Sequence, residues 1–200
     1  LVVVPEHDRL RGGNVLTLLG SLNPVTDDWL ACGRAAFASF KAQGVTDIIV
    51  DFRYNGGGLV STAELMGDLM GQNYAGAVFS QTVFRASKSA ENDQHRFAPD
   101  ANSMAPTRVA FIGTASTAWA SELVSNGMLP FLGTDMTLVG SNTYGKPVGQ
   151  IALDRAACDD RMRVVAFATG NANGQSDYYT GLAPKISNSC AAADDIRVPL

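Results

Sequence analysis

Cysteine, histidine and tryptophan are scarce in this chain: three, two and two among 200 residues. There is no CxxC, and His7 and His95 lie far apart, which argues against a zinc site. No apolar run approaches the ~20 residues that span a bilayer. Basic residues are in the minority, 15 against 19 acidic ones. The resulting charge of −4 offers no footprint for nucleic acid. Low-complexity segments and internal repeats are missing too. An initiator Met and a signal peptide are absent, and the chain opens directly on Leu1-Val-Val-Val4. It reads as a trimmed mature protein or as a domain cut from a longer one.

What remains is 46% hydrophobic and 17% charged, the balance of a soluble globular domain with a sizeable core. Residues 1–200 are read as one domain. Cys32 lies beside Ala and Phe in a helical pattern and reads as a buried thiol. Cys158 and Cys190 lie in polar, loop-rich sequence, as a disulfide of an oxidising compartment or as two free thiols.

Strand and helix signals alternate. Val15–Leu19 reads as a strand. Residues 26–43 read as a helix capped by Thr26 or Asp27, with Trp29, Leu30, Ala36, Phe37 and Phe40 near one face, and Gly44 at its C-terminus. Residues 47–52 form a short apolar run suited to a buried parallel strand. Ser61-Thr-Ala-Glu64 is a capping box opening a helix to about Met70. Residues 86–106 are polar and predict a surface excursion, either a lid or a flexible loop. Strands follow at 108–113, 137–140 and 164–168, with a helix over 117–127. This order predicts an α/β domain with a largely parallel sheet.

Three stretches carry chemistry. Asn55-Gly-Gly-Gly58 joins a predicted strand to a predicted helix, and consecutive glycines bring backbone N–H groups close to a ligand, where they can stabilise an oxyanion. A plain turn is the simpler reading of the glycines alone. Lys146 has Tyr144, Val148 and Ile151 as apolar neighbours, and Gln150 lies four residues on. A lysine that accepts a proton must be desolvated, whereas a lysine in a Gly-rich loop is ordinarily solvated. Ser121 and Glu122 fall on the first turns of the helix after the 108–113 strand, where the helix dipole favours negative charge. A rival reading takes Gly140-Ser-Asn-Thr-Tyr-Gly-Lys146 as a P-loop and Asp51 as a magnesium ligand. The next residue, however, is Pro147, where a P-loop needs Ser or Thr.

Taken together, Asp51-Phe-Arg-Tyr-Asn-Gly-Gly-Gly58, Thr117-Ala-Trp-Ala-Ser-Glu122 and Tyr144-Gly-Lys-Pro-Val-Gly-Gln150 resemble the catalytic domain of the C-terminal processing, or tail-specific, proteases. These are Ser–Lys peptidases with a ClpP/crotonase-like core. The resemblance covers nearly the whole chain. It implies a general base at Lys146, an orienting glutamine at Gln150, and an oxyanion hole from the amides of Ala120 and of Gly56 or Gly57. The family's nucleophile motif is usually Ser/Thr-Ala-Ser-Ala-Ser-Glu, so the nucleophile position falls on Trp119, which has no nucleophilic atom. On a helix neither Ser116 nor Ser121 points where residue 119 points. The expectation is a peptidase core inactive in this form, with a non-catalytic peptide-binding module as the alternative and a P-loop hydrolase as a remote one. The resemblance further implies a polypeptide substrate, no cofactor and a periplasmic or secreted setting. It makes residues 1–12 the end of a preceding PDZ-like region.

Overall fold

The computed structural model describes residues 2–4, 15–19 and 27–193, with side chains from residue 30 onward. Its main sheet has the order β1-β2-β3-β6-β7-β10. The strands are β1 (Val2–Val4), β2 (Val15–Leu19), β3 (Asp47–Asp51), β6 (Arg108–Gly113), β7 (Met136–Gly140) and β10 (Asn188–Ala191). Only β1 runs antiparallel to its neighbour. Three helices connect the parallel strands: α1 (Asp27–Ala42), α2 (Val60–Met70) and α3 (Ala120–Leu132). Alternate strand residues Ile48, Val50, Val109, Phe111, Met136 and Leu138 join Phe37 and Phe40 of α1, Met66 of α2 and Leu123 of α3 in one buried cluster. That period of two is how a sheet presents one face to its helices. The expected α/β class with a parallel sheet is what the fold shows.

Local sequence explains the first helix well. Ala36, Phe37 and Phe40 are buried on one face. At the far end Val45 N–H donates to the Phe40 carbonyl, Gly44 N–H donates to Lys41, and Gly44 takes a φ of +66°. This is a Schellman ending, sealed by contact between two buried apolar residues. Thr26 and the side chain of Trp29 lie outside the described residues.

Elsewhere tertiary contacts override local signals. The helix expected from a capping box at Ser61 starts at Val60, behind Leu59, with no side-chain cap. Glu64 is claimed by the neighbouring sheet: its carboxylate accepts from Ser80 Oγ at 3.0 Å. Burial pushes the Glu64 carboxyl up, opposed by the charge of His95. The helix expected over 117–127 begins at Ala120 and continues to Leu132, past Gly127. Thr117 cannot join it because its hydroxyl donates to the Phe52 carbonyl at 2.7 Å and accepts from the Thr114 amide.

A second, four-stranded antiparallel sheet has the order β5-β4-β9-β8. It comprises β4 (Val78–Phe84), β5 (Asp93–Arg96), β8 (Val148–Arg155) and β9 (Asp160–Gly170). The segment expected to be a lid or loop therefore supplies a strand, and its Phe97 and Met104 are buried in the core. The expectation of a buried Cys32 also fails. Cys32 is exposed, because it falls on the outer side of α1; of the two readings for the other pair the free thiols are found, Cys158 in the turn between β8 and β9 and Cys190 on β10, both exposed. Residues 140–146, the P-loop candidate, lead into strand β8 and not into a helix.

Phe79 of β4 locks the two layers together. A methyl group added at Gly67 of α2 would stand 2.6 Å from its ring, and one at Gly127 of α3 would stand 2.5 Å away. Alanine at either position gains about 1 kcal/mol of helix propensity but overpacks a closed site. The net expectation for Gly67→Ala or Gly127→Ala is a loss of about 1–2 kcal/mol. A lowered urea midpoint with an unchanged slope would show it.

Candidate active site

The site is assembled from three loops at the carboxyl ends of parallel strands. The first follows β3. Asp51, buried at the strand end, holds the Arg53 guanidinium in a two-pronged pair, with Nη2 to Oδ2 at 2.7 Å. The chain then turns through Asn55 to Gly58. The Asn55 side chain accepts from the Gly57 amide at 3.1 Å. The second loop follows β6 and ends at Trp119, the N-cap of α3. It is stapled to the first by two bonds to the Asn55 carbonyl, one from the Ala118 amide at 3.1 Å and one from Ser121 Oγ at 3.2 Å. The third runs from β7 to β8 and carries Lys146. The Tyr144 amide ties it to the Thr117 carbonyl at 2.9 Å.

Glu122 sits where the second and third loops meet. It is fully buried. One carboxylate oxygen accepts from Thr143 Oγ1 at 2.6 Å and from the Gly145 amide at 2.7 Å. The other accepts from the amides of Lys146 at 2.8 Å and Trp119 at 3.0 Å. Four donors offset the desolvation of a buried carboxylate, and charge-assisted bonds of this kind are the strong ones. Glu122 is the third residue of the helix, so its bond to the N-cap amide is half of a capping box. The other half is missing because an indole cannot accept. The sequence pattern places Glu122 on the helix and does not by itself show this role. The spacing of a carboxylate three residues after the N-cap was the signal that could have found it.

Trp119 occupies an unusual backbone state, with φ +51° and ψ −102°. A bulky residue at positive φ is a genuine outlier, and such strain persists only where the surroundings over-determine it. Strained strand-to-helix turns of this type present nucleophiles in hydrolases. The indole lies across the site. A methyl group on Gly57 would stand 3.1 Å from its Cε3. Lys146 Nζ lies 4.8 Å from the ring centroid, a cation–π distance. The indole Nε1 is buried and has no hydrogen-bond partner among the described residues.

The structure thus brings Trp119, Lys146 and Gly57 together. Among the described residues the Gly56 and Ala120 amides donate to no protein acceptor, whereas the Gly57 amide is engaged by Asn55. Gln150 lies on β8 opposite Val165, next to a bulge at Gly149, and no hydrogen bond joins it to Lys146 among the described residues. Ser121 is buried and committed to Asn55, and Ser116 is exposed before the helix, so neither hydroxyl takes the place of residue 119. Glu122→Gln replaces an acceptor oxygen by an NH₂ that faces N–H donors. It should lower stability by about 2–4 kcal/mol, read by denaturant unfolding.

Against known proteins, the sequence model of peptidase family S41 matches residues 29–187. A model described as mitochondrial fission ELM1 matches residues 1–50 only. No curated protein matches the chain. Among solved structures, a Bacteroides fragilis protein named for the S41 proteases superposes with a TM-score of 0.82 at 22% identity, covering 97% of this chain and 50% of its own. The photosystem II D1 C-terminal processing protease gives 0.64 at 19% identity, covering 88% and 42%. A lipoprotein from Streptococcus agalactiae gives 0.69 at 12%, covering 92% and 64%. The chain spans about half the length of the first two. At these identities the superpositions establish the shared fold, and the match over 29–187 establishes the family: the chain belongs to peptidase family S41.

Proposed function

We propose that the chain is the core of a serine endopeptidase of the tail-specific type, laid out for Ser–Lys hydrolysis of polypeptides and silenced at position 119. The observation that carries this reading is Trp119 on a positive-φ turn at the start of α3, with Lys146 Nζ over its ring. A serine in that backbone position would present its hydroxyl between Gly57 and Lys146. Lys146 would take the hydroxyl proton and return it to the leaving amine. The Ala120 and Gly56 amides would hold the oxyanion. Gln150 would orient the amine from β8. With tryptophan there, no atom can attack a carbonyl, and the ring fills the space between the glycine loop and the lysine. An indole face also attracts the charged form of an amine, whereas proton abstraction needs the neutral form. An extracytoplasmic setting is part of the same proposal and rests on the family resemblance alone.

A second reading, a non-catalytic peptide-binding module, is favoured by one observation. Strand β8 is an edge of the smaller sheet and starts two residues after Lys146. An extended polypeptide can add to such an edge by main-chain hydrogen bonds.

The test compares hydrolysis of casein and of an unfolded peptide by this chain and by Trp119→Ser, with Lys146→Ala added to the serine variant. The serine variant should cleave at least about a thousandfold faster than the parent and label with a fluorophosphonate, and the lysine change should abolish both. Cleavage by the unaltered chain would place the nucleophile elsewhere. Two folded, inert proteins that still bind the peptide would favour the binding module.

A further inference from the structure

The hairpin of β8 and β9 has an apolar face that no other described residue covers fully. Register sets Ile151 opposite Val164 and Leu153 opposite Met162. A bulge then shifts β9 by one residue, so Phe167 comes opposite Gly149 on that same face. Its ring fills the space a side chain at 149 would need. Phe84 of β4 pairs with Phe167, their rings 5.3 Å apart. The other face of the hairpin carries Gln150, Ala152, Asp154, Arg161 and Arg163, with an Asp154–Arg161 ion pair, and one exposed apolar residue, Val165, opposite Gln150. This is the alternation of a sheet that is buried on one side. Yet Ile151 is 39% exposed, Leu153 48% and Met162 59%.

The surface has two complementary ends. Near the body of the molecule, a cleft of about 450 Å³ opens between Phe84, Ile151 and Val164 and the segment 85–91, whose Arg85, Lys88 and Glu91 line it. At the far tip, Leu153 and Met162 project, and the next residue pair outward on the same face is Arg155 and Asp160. The tip offers an apolar knob edged by one cation and one anion. The cleft offers an apolar hole edged by two cations, Arg85 and Lys88, and one anion, Glu91. A chain of charge −4 is repelled by a second copy over much of its surface, but the cleft lining is locally cationic and can receive the Asp160 edge of the tip.

We propose that two copies of this chain associate about a two-fold axis, each inserting the Leu153–Met162 tip of its hairpin into the cleft beside Phe84 of the other. Asp160 then faces Lys88 of the second copy and Arg155 faces its Glu91. Each contact occurs twice, as an isologous interface requires. The apolar patch is three strands wide, at the low end of interface size, so association is reversible and concentration-dependent.

Sedimentation of the full chain between about 1 and about 200 µM tests this. The mass should rise from one copy towards two. Leu153→Asp and Met162→Asp should each weaken the dimer by at least about tenfold, while Ala152→Asp on the opposite face leaves it unchanged. Lys88→Glu should weaken it too, and adding Asp160→Lys should restore it. Unfolding midpoints close to the parent's keep the comparison to folded proteins, since these side chains are exposed. A chain monomeric throughout, a dimer indifferent to positions 153 and 162, or one equally lost with Ala152→Asp would each overturn the proposal.

Discussion

One buried carboxylate decides whether this site exists. Glu122 receives the amides of residue 119, of Gly145 and of Lys146, together with the Thr143 hydroxyl. The first of these belongs to the turn after β6 and the others to the loop after β7. Without a common acceptor, two loops from separate strands would each have to find solvent for their N–H groups. The same Thr143 oxygen accepts from the Leu182 amide, which extends the tie to the segment beyond the hairpin. The parallel sheet sets the loops side by side, and the carboxylate fixes their mutual position.

The parallel half of the fold was legible because its signals are local. Apolar runs at 47–52 and 108–113 can only be buried strands between helices, and Gly44 marks a helix end by its backbone alone. The antiparallel half was not. Its strands carry Gln, Thr, Asp, Arg and His, since much of the sheet faces solvent, and only the 164–168 stretch is apolar enough to notice. Ser61 and Glu64 misled for a different reason. A capping box is a local bargain, and Ser80 and His95, far along the chain, made Glu64 a competing offer.

In the site itself, three motifs scattered over 100 residues meet at Trp119, Lys146 and the glycine loop. What the sequence could not convey is which amides remain free once they meet. Gly57 is spent on its own Asn55, a contact two residues long that outcompetes any distant role. Nor does the sequence disclose that the indole would lie against both Gly57 and the Lys146 ammonium. That arrangement depends on the positive φ of residue 119, which is imposed by the fold and not by tryptophan.

Three of the four bonds to Glu122 come from backbone amides, and a backbone amide is the same whatever side chain it carries. Residues 119 and 146 can therefore exchange side chains without unfastening the loops they belong to, whereas Gly145, at a φ of +88°, has the backbone of Tyr179 and Gly181 where a side chain would go. The architecture is indifferent to the chemistry it displays. A single codon can remove the reactive atom of such a site and leave its scaffold standing, free to be put to another use.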